Sequence, residues 1–87
     1  MAKHYIVKGR VQGVWFRQST MQKALLLNLS GWVRNLSNGD VEVCAAGEDK
    51  SLAEFEAWLW QGPDAARVDD ICISECDHVS HGFQVRR

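Results

Sequence analysis

The first half of the chain passes from a β-type run through an irregular loop into a helical period. Residues 4–8 are rich in β-branched and aromatic side chains and end at Gly9, which predicts a strand. A helix is predicted over residues 17–27, with Asn28 as a left-handed residue at its C-terminal end. Four residues at helical spacing form its buried face: Phe16, Thr20, Ala24 and Leu27.

Two further β-type runs, at residues 31–36 and 41–46, flank a segment that contains Asn38 and Gly39. Asn-Gly between β-type runs is the strongest short-range signal for a β-hairpin. We therefore expect two strands that pair through a tight turn.

A second helix is predicted to begin at a capping box, in which Ser51 accepts a backbone N–H group and Glu54 reaches back. The Gly-Pro pair at residues 62–63 ends this helix. Residues 68–76 and 82–86 then predict one longer and one short strand. The buried stripe of the second helix is Leu52, Phe55 and Leu59.

The order of these elements is β-α-β-β-α-β with a short extra C-terminal strand, which is the ferredoxin-like arrangement. A helix follows the first and third strands, so both helices connect strands across one face of a single sheet. We predict an α+β two-layer sandwich, with an antiparallel sheet and two helices on one face. A chain of 87 residues is enough for one domain, so we expect a single domain over residues 1–87.

Composition suggests a location and a redox state. No apolar stretch approaches the roughly 20 residues that cross a membrane, and the first residues lack the apolar core of a secretory signal. We therefore expect a cytoplasmic protein with three free thiols, at Cys44, Cys72 and Cys76. If Cys72 and Cys76 share a strand, they lie about 13 Å apart, too far to bridge. A pair that includes Cys44 stays open.

The net charge of −1 hides a separation of charge along the chain. Residues 1–39 contain six Lys and Arg and no acidic residue, whereas residues 40–87 contain all eleven acids and four cations. A cationic half would attract anions. Chance segregation on two halves that interleave in space explains the same numbers, so the charge pattern needs a second signal.

That second signal is a loop bracketed by Gly9 and Gly13 that runs directly into the first helix. Glycines let successive N–H groups turn towards a ligand, and a helix start adds unpaired donors and partial positive charge. Together they form an anion cradle, over which Arg17 can close with two parallel hydrogen bonds. Alone, such a loop is more often a plain turn and such an arginine a solvated surface residue.

The loop contains no residue that could become phosphorylated, because residues 10–16 include no Cys, Ser, Thr, His, Asp or Glu. The histidines have no cysteine or carboxylate partner at ligand spacing, so we expect no metal and no cofactor. Such a site hydrolyses only an activated bond. An acyl phosphate qualifies, since its carboxylate leaving group has a pKa of about 4 and departs without protonation.

Two long segments of the chain resemble the acylphosphatase family: Gly-Arg-Val-Gln-Gly-Val-Trp-Phe-Arg at residues 9–17, and Gly-Trp-Val-Arg-Asn at residues 31–35 followed by residues 38–42. The resemblance implies hydrolysis of the carboxyl–phosphate bond, with Arg17 on the phosphate and Asn35 positioning the attacking water. It also implies that the phosphate meets the backbone N–H groups of six residues: Gln12, Gly13, Val14, Trp15, Phe16 and Arg17.

The expected partners are a small-molecule acyl phosphate and, as competing anions, inorganic phosphate or sulfate. We expect a monomer that does not bind membranes. We also expect no binding of nucleic acid, because the paired aromatics of an RNA-binding sheet are missing. The main alternative is a non-enzymatic phosphate-binding regulatory module of the same fold, which would not need Asn35. Trp15 either packs on the surface, as we favour, or leans over the site.

Overall fold

The structure is a computed structural model that describes residues 2–77 and 81–86. The elements in chain order are β1 (Ala2–Arg10), α1 (Phe16–Leu26), β2 (Ser30–Asn35), β3 (Val41–Ala46), α2 (Asp49–Gln61), β4 (Arg67–Glu75) and β5 (Phe83–Arg86). The two helices pack against a five-stranded sheet with the strand order β4-β1-β3-β2-β5. This arrangement confirms the predicted α+β, ferredoxin-like sandwich.

The last strand makes the sheet mixed, so the prediction of a wholly antiparallel sheet is wrong at β5. Strands β1 to β4 pair antiparallel, whereas β5 lies parallel to β2 at the edge, with Gly31 opposite Phe83. The direction follows from the chain path. Because β4 runs opposite to β2, a chain that reverses after β4 enters the free edge in the same direction as β2.

Local signals placed most element ends to within about two residues. Asn28 has the predicted left-handed conformation, with φ 57°, and follows Leu27, the C-terminal cap of α1. Gly62 ends α2 with φ 65°. The predicted capping box is wrong, because α2 begins at Asp49 and Ser51 lies inside its first turn. The carboxylate of Asp49 lies in that turn, where negative charge favours a helix start.

The core lies between the helices and the sheet and uses the predicted helix faces, except that Leu27 lies beyond α1 and is only partly buried. Phe16, Thr20 and Ala24 are buried on α1. Aromatic contacts link the layers, since the Phe55 ring on α2 lies 5.9 Å from the ring of Tyr5 and 6.3 Å from that of Phe83. The edge strand β5 is therefore fixed to the core through Phe83. The buried residues of α2 are Leu52, Phe55 and Leu59.

A disulfide joins Cys44 on β3 to Cys76 just beyond β4, with 6.6 Å between their Cα atoms. The expectation of three free thiols is therefore wrong, and the pair found is one that includes Cys44, the alternative left open. Strand β1 separates the two cysteines in the sheet, so their proximity depends on sheet order, which local sequence does not show. Cys72 is free and exposed.

The disulfide removes the support that free thiols gave to a cytoplasmic location, because disulfides are rare in the cytosol. The location stays a prediction. In the described part of the chain, neither helix is long and apolar enough to span a membrane.

Candidate active site

The loop between β1 and α1 turns sharply at residues with positive φ. Gly9 forms an irregularity in the β1–β4 pairing, and a Cβ atom there would overlap the backbone carbonyl of Arg67. Gly13 has φ 74° in open space, so conformation and not crowding favours glycine there. Trp15 immediately precedes α1 and is also left-handed, with φ 64° and ψ 19°.

This turn leaves a group of backbone donors at the start of α1. The first helical hydrogen bond runs from Ser19 N to Trp15 O at 3.0 Å, so the N–H groups of residues 16–18 have no partner within the helix. Among the described residues, no acceptor receives the N–H groups of residues 12–15. The first turn contains no acidic residue. Free donors and the positive end of the helix therefore favour an anion here.

A cleft of about 360 Å³ opens beside these donors. It brings together Arg17 from α1 and Asn35 from the end of β2, the two residues predicted to be catalytic. Sequence analysis missed Gln18, which follows Arg17 directly, and Val85, whose place depends on the unpredicted pairing of β5. The lining residues are Val11, Gly13, Trp15, Phe16, Arg17, Gln18, Asn35 and Val85.

Four of the six predicted phosphate-binding residues line the cleft: Gly13, Trp15, Phe16 and Arg17. Gln12 and Val14 do not line it. The Gln12 side chain instead points to the β2–β3 hairpin, where Nε2 donates to the backbone carbonyls of Leu36 at 2.7 Å and Asp40 at 2.8 Å. Gln12 thus ties the loop to the segment that directly follows Asn35, a role that sequence analysis did not predict.

The guanidinium of Arg17 is anchored before any ligand arrives. Its Nη1 donates to the backbone carbonyl of Arg86 on β5 at 2.9 Å. An arginine side chain carries five N–H donors, and this is the one hydrogen bond that the described residues accept from the Arg17 side chain. The rest of the fork can therefore bind an anion in the cleft.

The amide oxygen of Asn35 is buried and has no hydrogen-bond partner among the described residues. Most buried polar atoms in proteins have a partner, so an unpaired one calls for an explanation. Asn35 ends β2 and faces the helix layer, as Val33 does two residues earlier. Asn35 also lines the cleft, so its amide, with one atom still unpaired, lies beside the donors at the start of α1.

The neighbouring acid, Glu42, lies on the opposite face of the sheet, where two basic side chains balance its negative charge. Its carboxylate contacts His4 Nε2 at 2.7 Å and Arg34 Nε. Burial raises the pKa of Glu42, but the hydrogen bonds and charges of His4 and Arg34 outweigh it and hold that pKa below its ordinary value. Among the residues that the structure describes, no acidic one lines the cleft itself.

Comparison with known proteins identifies the family. The family model described as Acylphosphatase matches residues 3–85. The chain belongs to the acylphosphatase family. It is 49% identical over 75 residues to an acylphosphatase of Xanthomonas oryzae pv. oryzae (strain MAFF 311018), which covers 86% of this chain and 85% of that one.

Two solved acylphosphatase structures have the same fold. The one from Coxiella burnetii superimposes with a TM-score of 0.92 at 45% identity, covering 98% of this chain and 90% of that chain. The one from Bacillus subtilis has a TM-score of 0.92 at 34% identity and covers 100% of both chains. The comparisons confirm the predicted acylphosphatase family, and with it the class of enzyme, a hydrolase.

Proposed function

We propose that the chain hydrolyses small acyl phosphates to carboxylate and inorganic phosphate, by direct attack of water on phosphorus in the cleft. One observation carries the mechanism: Arg17, whose guanidinium is anchored, and Asn35, whose Oδ1 is buried and unpaired, line the same cleft at the start of α1. A cation, a set of N–H donors and an amide that can hold a water therefore border one cleft.

The phosphoryl group would bind to Arg17 and to the backbone N–H groups of residues 12–17. The planar fork of arginine matches two phosphoryl oxygens at once. Because Nη1 already bonds to Arg86 O, the fork loses little freedom when the substrate binds. Charge that develops on the phosphoryl oxygens meets donors already in place, and such preorganised electrostatics supply most of the catalysis in phosphoryl transfer.

The attacking water would donate a hydrogen bond to Oδ1 of Asn35. An amide is too weak a base to take the proton, so the proton passes to a phosphoryl oxygen of the substrate. The water oxygen bonds to phosphorus while the bond between phosphorus and the acyl oxygen breaks. The carboxylate leaves with that electron pair, and it needs no general acid because its conjugate acid has a pKa of about 4.

We propose that the reaction requires no metal ion. The described residues contain no group of three His, Cys, Asp or Glu side chains that could hold one. The positive charge that a metal would contribute comes instead from Arg17 and the N–H groups at the start of α1.

The alternative is a regulatory module that binds phosphate without turnover. Such a module would need the loop and Arg17 only. The buried amide oxygen of Asn35 favours the enzyme, because an unpaired buried acceptor lowers stability and contributes nothing to holding an anion.

The test is release of inorganic phosphate from benzoyl phosphate in the presence of EDTA. We expect turnover with the chelator and competitive inhibition by inorganic phosphate and by sulfate. Binding of phosphate without turnover would establish the regulatory module. Turnover that EDTA abolishes and Mg²⁺ restores would overturn the metal-free mechanism.

A further inference from the structure

Trp15 combines two unusual properties beside the cleft. Its side chain is 78% exposed, and its backbone is left-handed, with φ 64°. A bulky residue at positive φ is rare outside functional sites and carries strain that the surrounding structure must offset. The left-handed backbone turns the chain into α1, whereas the exposure of the indole serves neither that turn nor the core. The indole lines the cleft, so the place to look for its role is the bound ligand.

The cleft has a polar and an apolar side. Arg17 and Asn35 belong to the polar side, whereas the apolar side consists of Val11, Trp15, Phe16 and Val85. Val11 and Phe16 are each only 1% exposed. The apolar surface that a ligand can reach therefore comes mainly from the indole of Trp15, with Val85 on β5.

The size of the cleft exceeds what phosphate alone would fill. At about 30 Å³ for each water molecule, 360 Å³ holds on the order of a dozen non-hydrogen atoms. With the phosphoryl group at the donors of α1, the cleft leaves room for an acyl group. A flat apolar acyl group in that space would stack on the exposed indole.

We infer that Trp15 is a specificity-determining residue, which stacks on the acyl group and thereby strengthens the binding of flat, apolar acyl groups relative to small ones. The inference rests on the proposed function, because it assigns the acyl end of the same substrate. Trp15 acts on binding of the acyl group and takes no part in bond making or breaking.

The test compares kcat/KM for benzoyl phosphate with kcat/KM for acetyl phosphate in four proteins: wild type, Trp15→Asn, Trp15→Phe and Trp60→Asn. Asparagine tolerates positive φ, so Trp15→Asn removes the ring and keeps the backbone. Trp15→Phe keeps a ring. Trp60 is 48% exposed on α2 and does not line the cleft, so Trp60→Asn is the matched control.

We expect the benzoyl-to-acetyl ratio to fall about fivefold in Trp15→Asn, the size of one aromatic contact, with the loss in KM for benzoyl phosphate. Trp15→Phe should retain most of the wild-type benzoyl-to-acetyl ratio, because it keeps an aromatic ring. Trp60→Asn should have the wild-type ratio. An unchanged ratio in Trp15→Asn, or an equal loss on both substrates, overturns the inference and leaves the proposed function standing. If the wild type hydrolyses neither substrate, the proposed function fails, and this inference fails with it.

Discussion

Nη1 of Arg17 donates a 2.9 Å hydrogen bond to the backbone carbonyl of Arg86, 69 residues away in sequence. The bond joins the start of α1 to the last strand at the edge of the cleft. Because the acceptor is a backbone atom, any side chain at position 86 supplies it, provided that β5 stays paired with β2. Strand β5 thereby orients the guanidinium that we propose binds the phosphate.

Arg17→Lys should lower kcat/KM for benzoyl phosphate by about 100-fold, the usual cost of misplacing a positioning group. A lysine cannot hold the Arg86 carbonyl and also match two phosphoryl oxygens. Inhibition by inorganic phosphate should weaken in parallel. Arg10→Lys is the control, since Arg10 is exposed at the end of β1 and should leave the kinetics unchanged. A loss below threefold in Arg17→Lys would contradict the assigned role.

Asn35→Ala should lower kcat by about 100-fold, because the attacking water loses its acceptor. The inhibition constant for inorganic phosphate should stay within about threefold of wild type, since the role proposed for Asn35 is to hold water and not phosphate. The readout is therefore the contrast between kcat and phosphate binding.

Asn38→Ala is the matched control for Asn35. The Asn38 side chain accepts from Asp40 N at 3.0 Å in the hairpin turn and does not line the cleft. We expect Asn38→Ala to lower the free energy of unfolding and to leave kcat unchanged. If Asn35→Ala retains most of the wild-type kcat, the water-positioning role is wrong, whatever its effect on stability.

Gln12→Glu should separate the loop from the hairpin. The amide of Gln12 donates to two carbonyls, of Leu36 and Asp40, and a carboxylate can donate to neither. We expect a loss of about 2 kcal/mol in the free energy of unfolding and a fall in kcat/KM of at least about tenfold, because the positions of loop and Asn35 become less fixed. Urea unfolding and steady-state kinetics measure the two effects.

Gln22→Glu makes the same chemical change at an exposed position on α1 and should leave both quantities near wild type. A Gln12→Glu protein with wild-type kinetics would show that the bridge to the hairpin is structural only.

The parts of the fold and the site that are specified by residues close together in the sequence could be predicted. The spacing of Phe16, Thr20 and Ala24 gave the buried face of α1, and Asn38-Gly39 gave the hairpin that ends near Asn35. Each signal lies within a few residues of the structure it specifies. The glycine loop belongs to the same class, because its two left-handed glycine positions and the helix that follows are contiguous.

The parts that depend on sheet order could not be predicted. The carbonyl of Arg86 reaches Arg17 only because β5 takes the edge beside β2, and no local pattern fixes that edge. The same limit explains the missed disulfide, whose cysteines lie on either side of β1. The hydrogen bonds of the Gln12 side chain could not be predicted either. Its acceptors are backbone carbonyls, which every residue has, so no particular residue type indicates them.

Stability should fall in acid as Glu42 becomes protonated. His4 and Arg34 hold the folded pKa of Glu42 below its ordinary value of 4.5, even though burial opposes this. As pH falls, Glu42 therefore takes up a proton in the unfolded chain at a higher pH than in the folded protein. The stabilisation from the ionised Glu42 is complete above the unfolded pKa of 4.5 and is lost as pH falls through the folded pKa. Glu42→Gln should cost about 2 kcal/mol at pH 7 and progressively less below pH 4.5.

The measurement is urea unfolding of wild type and Glu42→Gln at several pH values. Glu54→Gln, at an exposed position on α2, is the control and should follow the wild-type curve. A constant difference between wild type and Glu42→Gln from neutral pH into acid would show that Glu42 does not contribute through its charge.

The Cys44–Cys76 bond should contribute about 3–4 kcal/mol to the free energy of unfolding, because it closes a loop between residues 32 positions apart. We expect reduction, or replacement of both cysteines by alanine, to lower the urea midpoint accordingly. Neither cysteine lines the cleft, so kcat in the absence of urea should be kept. Cys72→Ala removes the exposed free thiol and should change stability by less than about 0.5 kcal/mol. Equal midpoints for the reduced and oxidised protein would show that this bond does not stabilise the fold.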